Sequence, residues 1–169
     1  MIAPTLTTAR LILRRHDLAD YPVFREFWMS SRASHIGGPF AHEHEVWRQF
    51  SAERGHWALR GFGLWTLVSP VTAAVLGWVG LQQPPHYAAP ELAWHLTAAA
   101  EGQGLATEAA VAALGHGREK LGLGRVISYV STANTRSLRL AERLGAVVTE
   151  RGTFSGSQYA LFDHPQVAA

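Results

Sequence analysis

Apolar residues recur along this chain at two different periods, and each change of period marks a new element. Leu11 and Leu13 alternate with Arg10, Ile12 and Arg14, which predicts a first strand. Tyr21, Phe24, Phe27 and Trp28 follow at helical spacing, with Asp20 as candidate N-cap and Pro22 in the first turn. Ser30 to Phe40 reads as a loop closed by Gly37, Gly38 and Pro39. A second helix opens at His42-Glu-His-Glu45 and carries Val46, Trp47 and Phe50. Gly61-Phe-Gly63 turns the chain into Leu64–Val68, which pairs as an antiparallel hairpin with Ala73–Leu81 across the Ser69–Thr72 turn.

Glu91 to Leu96 is a further strand, with Glu91, Ala93 and His95 on one face and Leu92, Trp94 and Leu96 on the other. Leu105 to Leu121 is an alanine-rich helix that Gly122 and Gly124 end; Gly115 and Gly117 weaken it and suit close packing on a sheet. Arg125–Ser131 is a β-branched strand. Asn134 opens a short helix, Thr135–Leu144, which Gly145 ends. Val147–Glu150 and Ser157–Phe162 form a last hairpin, and Gln166–Ala169 is expected to fray. The order β-α-α-β-β-β-α-β-α-β-β predicts an α/β (α+β) fold with a mixed, mostly antiparallel sheet flanked by helices.

The segment Glu101-Gly-Gln-Gly-Leu-Ala-Thr-Glu-Ala-Ala110 carries the strongest chemical signal. A strand precedes it and a long helix follows it. The first turn of a helix has unpaired N–H groups and a partial positive charge, and glycines let an anion approach them. A plain glycine turn joining strand to helix satisfies the same pattern. A dinucleotide site wants an acid at the end of the next strand, and Ser131-Thr-Ala133 supplies none. A P-loop wants Gly-Lys-Ser/Thr, which is missing. The pyrophosphate of coenzyme A is the remaining phosphate reading.

Composition narrows the field. The 169 residues suit one domain, 1–169, and a hydrophobic share of 47% supplies a core. With no cysteine there is no disulfide, thiolate nucleophile or cysteine–zinc site, which is compatible with a cytoplasmic location. No signal peptide or membrane span is expected. Fifteen basic residues against thirteen acidic ones give a formal charge of +2, too balanced for a nucleic-acid binder. Arg136, Arg139 and Arg143 line one helix face, either solvated or facing coenzyme phosphates. His42, Glu43, His44 and Glu45 do not form a metal site, because residues two apart on a helix point to different sides. No metal is expected.

The runs Glu91-Leu-Ala-Trp-His-Leu96, Glu101 to Ala109, Asn134-Thr-Arg-Ser137 and Leu144-Gly145 resemble the GCN5-related N-acetyltransferase (GNAT) superfamily. Leu6 to Arg14, Gly37-Gly-Pro39 and Trp57 to Trp65 are similar to its ribosomal-protein-alanine acetyltransferase-like (RimJ/RimL-type) branch. The likeness runs from about Thr5 to Phe162. It implies a sheet whose central strands splay apart to admit pantetheine, acetyl-CoA as donor, and an amine acceptor, either a small molecule or a protein N-terminus. Dimers are common in the family, so a homodimer is an open expectation. The early helices and the last hairpin would wall the acceptor pocket.

The resemblance also implies roles. Backbone N–H groups of Gly102, Gln103, Gly104, Leu105, Ala106 and Thr107 would hold the pyrophosphate. Main-chain groups of Trp94, His95 and Leu96 would line up the thioester. Asn134 and Ser137 would contact the coenzyme, although Asn134 is equally an N-cap for the helix it opens. Glu91 is the first choice of base, raised in pKa by partial burial, and His95 the second. The helix after Asn134 has no tyrosine to protonate the leaving thiolate; Ser137 takes that place, unless the thiolate leaves unaided. Glu101 departs from the family's Gln or Arg. It would either repel phosphates or point to solvent, and it keeps a non-catalytic acyl-CoA- or peptide-binding module of the same fold as the alternative.

Overall fold

In the computed structural model, residues 3–154 and 156–165 are described; the frayed end expected at Gln166–Ala169 lies outside them. The chain forms β1 (Leu6–Thr7), β2 (Ile12–Arg14), α1 (Tyr21–Trp28), α2 (Glu43–Arg60), β3 (Leu64–Val68), β4 (Val75–Gln82), β5 (Glu91–Leu96), α3 (Leu105–Leu121), β6 (Ile127–Ser131), α4 (Thr135–Arg143), β7 (Val147–Phe154) and β8 (Ser157–Asp163). The expected first strand is therefore a short hairpin of two. Ser31–Ala33, inside the expected loop, is a 3-10 turn.

One sheet of eight strands runs in the order β1-β2-β3-β4-β5-β6-β8-β7. Every neighbouring pair is antiparallel except β5–β6, which is parallel and registered at one position, Glu91 opposite Ile127. Beyond that position the two strands part. Ser128 closes the junction: its hydroxyl donates to the Leu92 carbonyl at 2.6 Å and lies 2.8 Å from His164 Nε2. Since the hydroxyl proton is spent on Leu92, the His164 ring must donate to Ser128. Burial, with Arg118 nearby, pushes the pKa of His164 down to about 4, so the ring stays neutral.

Strand alternation sorts the core onto two faces. The register aligns Arg14, Thr66, Trp78 and His95 across β2 to β5. Over this row lie Phe24, Phe27 and Trp28 of α1 and Val46 and Phe50 of α2. Leu13, Trp65, Leu67, Val79, Leu81 and Leu92 face the other way, beneath Leu105, Ala109, Ala110, Ala113 and Leu114 of α3. Small side chains let α3 sit close. A Cβ at Gly117 would meet Leu81 Cδ1 at 2.6 Å, whereas one at Gly115 would meet nothing within 4 Å. Of the two helix glycines, Gly117 is the one that packing demands. α4 packs Ala141 against Val130, Ala160 and Phe162.

Asp20 does not cap α1. Asp17 caps a 3-10 turn at Leu18–Asp20 instead, and Asp20 makes no capping bond to α1. The Asp20 carboxylate turns into the sheet, takes two hydrogen bonds from Arg14 (2.8 and 2.6 Å) and one from Thr66 (3.1 Å). Burial alone would raise its pKa, but Arg14, the Asp17 amide and Thr66 outweigh burial and hold it below the usual carboxylate value. Asp20→Ala should therefore cost about 3 kcal/mol, since it leaves Arg14 without its partner. Urea denaturation at pH 7 measures this. Because the folded pKa is depressed, the Asp20 contribution is full above the unfolded carboxylate pKa and fades as pH falls below it; a wild-type–variant gap that does not narrow in acid would contradict the assignment.

Candidate active site

Three features lie along the parting of β5 and β6: a buried carboxylate at its closed end, an open strand edge, and a row of free amides beyond the end of β5. The amides belong to the loop before α3. Gly102 and Gly104 take left-handed φ values of 74° and 75°, which an L side chain adopts only with strain. Gly104 is the N-cap of α3 and no side chain caps the helix. Among the described residues, no backbone N–H from Gly102 to Thr107 donates a hydrogen bond. Six donors at the positive end of a 17-residue helix thus face outward. All six positions expected to hold pyrophosphate lie in this cradle.

Arginines surround it. Arg10 bonds Glu108 through Nε (2.7 Å) and the Gln103 carbonyl through Nη1 (2.8 Å), and Glu108 also takes the Thr8 hydroxyl at 2.6 Å. The β1–β2 hairpin is thereby latched to the start of α3. Glu101 neither points to solvent nor stands as a bare negative charge: Arg32 binds one carboxylate oxygen and Arg136 the other. One anion between two guanidiniums leaves the loop net positive. Arg10, Arg32 and Arg136 were not singled out as site residues by the sequence, because their places depend on contacts 35 to 98 positions away. Only the Arg136 helix face hinted at one of them.

The open strand edge follows from the hydrogen-bond pattern. The Pro90 and Leu92 carbonyls are taken from the β6 side, by the Ile127 N–H and the Ser128 hydroxyl. Thr97 N–H donates towards β4, to Leu76. Alternation along a strand then turns the main-chain groups of Trp94 and Leu96 to the parting and those of His95 to β4. Of the expected trio, the main-chain groups of Trp94 and the N–H of Leu96 are placed to pair with an extended ligand arm; the Leu96 carbonyl accepts from Arg32 Nε at 3.5 Å. The Trp94 indole crosses to α4 and donates to Ser137 Oγ at 3.0 Å. Ser137 therefore accepts from Trp94 and keeps its own proton free. Asn134 Oδ1 accepts from the Ser137 N–H at 3.2 Å, so it is a working N-cap.

Glu91 is 6% exposed. Gln82 Nε2 donates to Oε2 at 2.7 Å and the Tyr129 N–H to Oε1 at 3.1 Å. Burial outweighs both bonds and pushes its pKa up to about 7. Tyr87 stacks edge-on against Tyr129, and Tyr129 against Tyr159, with ring centroids 5.2 and 5.3 Å apart. His95 sits elsewhere on the same face. Its ring packs against Phe27 and Trp28 at 5.8 and 5.6 Å, its Nδ1 is buried without a partner, and burial lowers its pKa. The aromatic stripe of α1 is thus core, as its spacing suggests. Among the described residues no cluster of His, Asp or Glu is arranged to hold a metal, and no helix is long and apolar enough to cross a membrane.

The acetyltransferase (GNAT) domain family matches residues 10–147. An acetyltransferase from Agrobacterium tumefaciens str. C58 is 33% identical, with a TM-score of 0.90 over 98% of this chain and 96% of that one. A protein of Bordetella pertussis assigned to the GNAT-family acetyltransferases is 30% identical, with a TM-score of 0.82 over 96% of this chain and 100% of its own. The ribosomal L7/L12 alpha-N-protein acetyltransferase RimL shares the fold, with a TM-score of 0.79 at 13% identity over 95% of this chain and 93% of that one. The chain belongs to the GNAT acetyltransferases, a family that takes its acyl group from acetyl-CoA.

Gly104→Val tests the cradle. The position has room for a side chain, with only Arg10 Nη2 within 4 Å of a Cβ, but its left-handed backbone does not suit valine. The fold should survive a strain of about 1–2 kcal/mol. Coenzyme A affinity should fall at least about tenfold, the loss of one or two charged hydrogen bonds. Unchanged affinity by calorimetry would remove the phosphate assignment.

Proposed function

We propose that this protein is an acetyl-CoA-dependent N-acetyltransferase that acts on a primary amine, either of a small molecule or of a protein N-terminus, with Glu91 as base. The observation that carries the reading is a buried carboxylate with a pKa near 7 at the point where β5 and β6 separate, on the same strand whose edge leads to six free amides. Bound acetyl-CoA supplies an activated thioester carbonyl. The N–H groups from Gly102 to Thr107 hold its diphosphate, and the main chain of Trp94 and Leu96 lines up its arm and polarises the carbonyl.

Glu91 accepts the proton that the ammonium must lose before its nitrogen can attack. A base with pKa near 7 is half ionised at neutral pH, the range in which general-base catalysis is most effective. The nitrogen–carbon bond forms and the carbon–sulfur bond breaks; the nitrogen's second proton replaces the one that Ser137 gives the sulfur, or passes to solvent when the sulfur leaves as thiolate. Trp94 fixes Ser137 Oγ as an acceptor, which leaves its hydrogen available. His95 is the second candidate base, but its unpartnered nitrogen lies among aromatic rings and favours the neutral form without an evident proton path. Glu101 argued for a non-catalytic module; paired with Arg32 and Arg136, it no longer opposes phosphate binding, which favours the catalytic reading.

The RimL likeness puts protein N-termini among the acceptor classes to be tried. A cysteine-free chain using a coenzyme A donor fits a cytoplasmic location, and the homodimer common in the family is the assembly we propose.

Turnover should rise with pH to a plateau above about 7 as Glu91 ionises. Glu91→Gln should lower kcat on the order of 100-fold and abolish that rise, with coenzyme A affinity unchanged. Thiol release over an amine panel, from pH 5.5 to about 9, reads both; a variant that keeps the wild-type profile excludes Glu91 as base. Stability should move oppositely. A folded pKa above the unfolded value means that ionising Glu91 costs folding energy as pH rises from the unfolded pKa through 7. Glu91→Gln should therefore be the more stable protein above neutrality, by up to a few kcal/mol in urea titrations.

A further inference from the structure

We infer that Glu101 is a displaceable counter-ion: it positions the guanidiniums of Arg32 and Arg136 beside the parting, and the diphosphate of the coenzyme takes both over from it. Leu96 ends β5, and Gly102 begins the row of free amides. A 3-10 turn, Ala98–Ala100, and then Glu101 fill the gap. A ligand that pairs its arm with β5 and rests its diphosphate on those amides has to cross this gap. Arg32, in the turn that follows α1, spans it on the β5 side: Nε donates to the Leu96 carbonyl at 3.5 Å and Nη2 meets the Glu101 carboxylate. Arg136 reaches the other carboxylate oxygen from the first turn of α4, the helix whose Ser137 meets Trp94 across the parting.

The bonding of Glu101 makes it displaceable, and Glu108 shows the contrast. The Glu108 carboxylate accepts from the Thr8 hydroxyl, the Arg10 N–H and Arg10 Nε, so a hydroxyl and a backbone amide depend on it. It fastens the β1–β2 hairpin. The Glu101 carboxylate accepts from guanidiniums alone among the described residues. Turning it aside strands no amide and no hydroxyl. Two guanidiniums on one carboxylate also leave a surplus positive charge, with six free amides beside it. A diphosphate carries more negative charge and more acceptor oxygens than a carboxylate. It is therefore the better partner for two planar guanidiniums, which match phosphate oxygens with paired N–H groups. Until it arrives, the carboxylate holds together two like charges that would otherwise repel.

The exchange breaks two ion pairs. A neutral side chain in place of the Glu101 carboxylate should thus bind the coenzyme more tightly, whereas removing a carboxylate that only fastens the fold would weaken binding or leave it unchanged. The inference rests on the acetyl-CoA reading for the identity of the ligand, but it is tested by binding alone.

The probes are coenzyme A and 3′-dephospho-coenzyme A, titrated calorimetrically into the full chain. Glu101→Gln should tighten both by about three- to tenfold, the worth of two partly exposed ion pairs. Arg136→Gln, at a side chain 71% exposed, should fold normally and weaken both about tenfold, the worth of one charge-assisted hydrogen bond. Glu142→Gln removes the same charge from an exposed position further along α4 and should change neither affinity by more than about twofold. Unchanged or weakened binding in Glu101→Gln, or a gain matched by Glu142→Gln, overturns the inference. If Glu101→Gln does not fold, unchanged affinity in Arg136→Gln overturns it instead. Changes seen with coenzyme A and missing with its 3′-dephospho form also overturn it, because they assign the arginines to the 3′-phosphate. A thiol-release assay on the same samples keeps the two readings apart. Tighter binding in Glu101→Gln with no thiol released from any amine supports the counter-ion and sinks acetyl transfer. Thiol release by the wild type, with coenzyme A affinity alike in every variant, sinks the counter-ion and leaves acetyl transfer standing.

Discussion

A single registered pair, Glu91 opposite Ile127, holds the two halves of the sheet together before they diverge. Everything distinctive about the molecule follows from that divergence. A fully paired sheet would consume the main-chain groups of Trp94 and Leu96; a parted one leaves those of Trp94 and the Leu96 N–H open to an extended ligand, while Arg32 takes the Leu96 carbonyl. The parting cannot run the length of the strands, because unpaired backbone inside a core is costly. Ser128 stops it at one end by bonding Leu92 and His164, and the Trp94 indole bridges it by reaching Ser137. The same carboxylate that marks the last paired position is the buried one. Its burial sets its pKa, so the position where pairing fails is also the position of the proposed base.

Electrostatics divides the two ends of this opening. At the α3 end, six amides and three arginines face a region that holds two paired carboxylates, Glu101 and Glu108. At the other end Gln82 bonds the Glu91 carboxylate, and the edge-stacked rings of Tyr87, Tyr129 and Tyr159 lie alongside. Under the proposed function an anionic donor and a cationic acceptor would meet opposite fields across one sheet. Each field lowers the cost of bringing its own partner and raises the cost of the wrong one.

Local signals were legible and long-range pairings were not. The bounds of β5 and α3 match the reading from alternation, alanine content and the flanking glycines, because those features act within a few residues. The free amides were legible for the same reason. Glu101 was misjudged as repulsive or solvent-facing, since its partners, Arg32 and Arg136, reach it only after the chain folds. Asp20 has every local mark of an N-cap, yet Arg14 on the neighbouring strand wins it. Glu91 and His95 share a strand face and look alike in sequence. Tertiary contacts tell them apart, giving the first two donors and the second a cage of aromatic rings.

The central claim is that the amides at the start of α3 are left open for the diphosphate of the donor. Amide hydrogen exchange, followed residue by residue with and without coenzyme A, tests this without any assay of turnover. The account predicts that Gly102 to Thr107 exchange freely in the unliganded protein and become strongly protected when coenzyme A saturates it. Saturation with no new protection in that segment, or protection already present in the free protein, would contradict it.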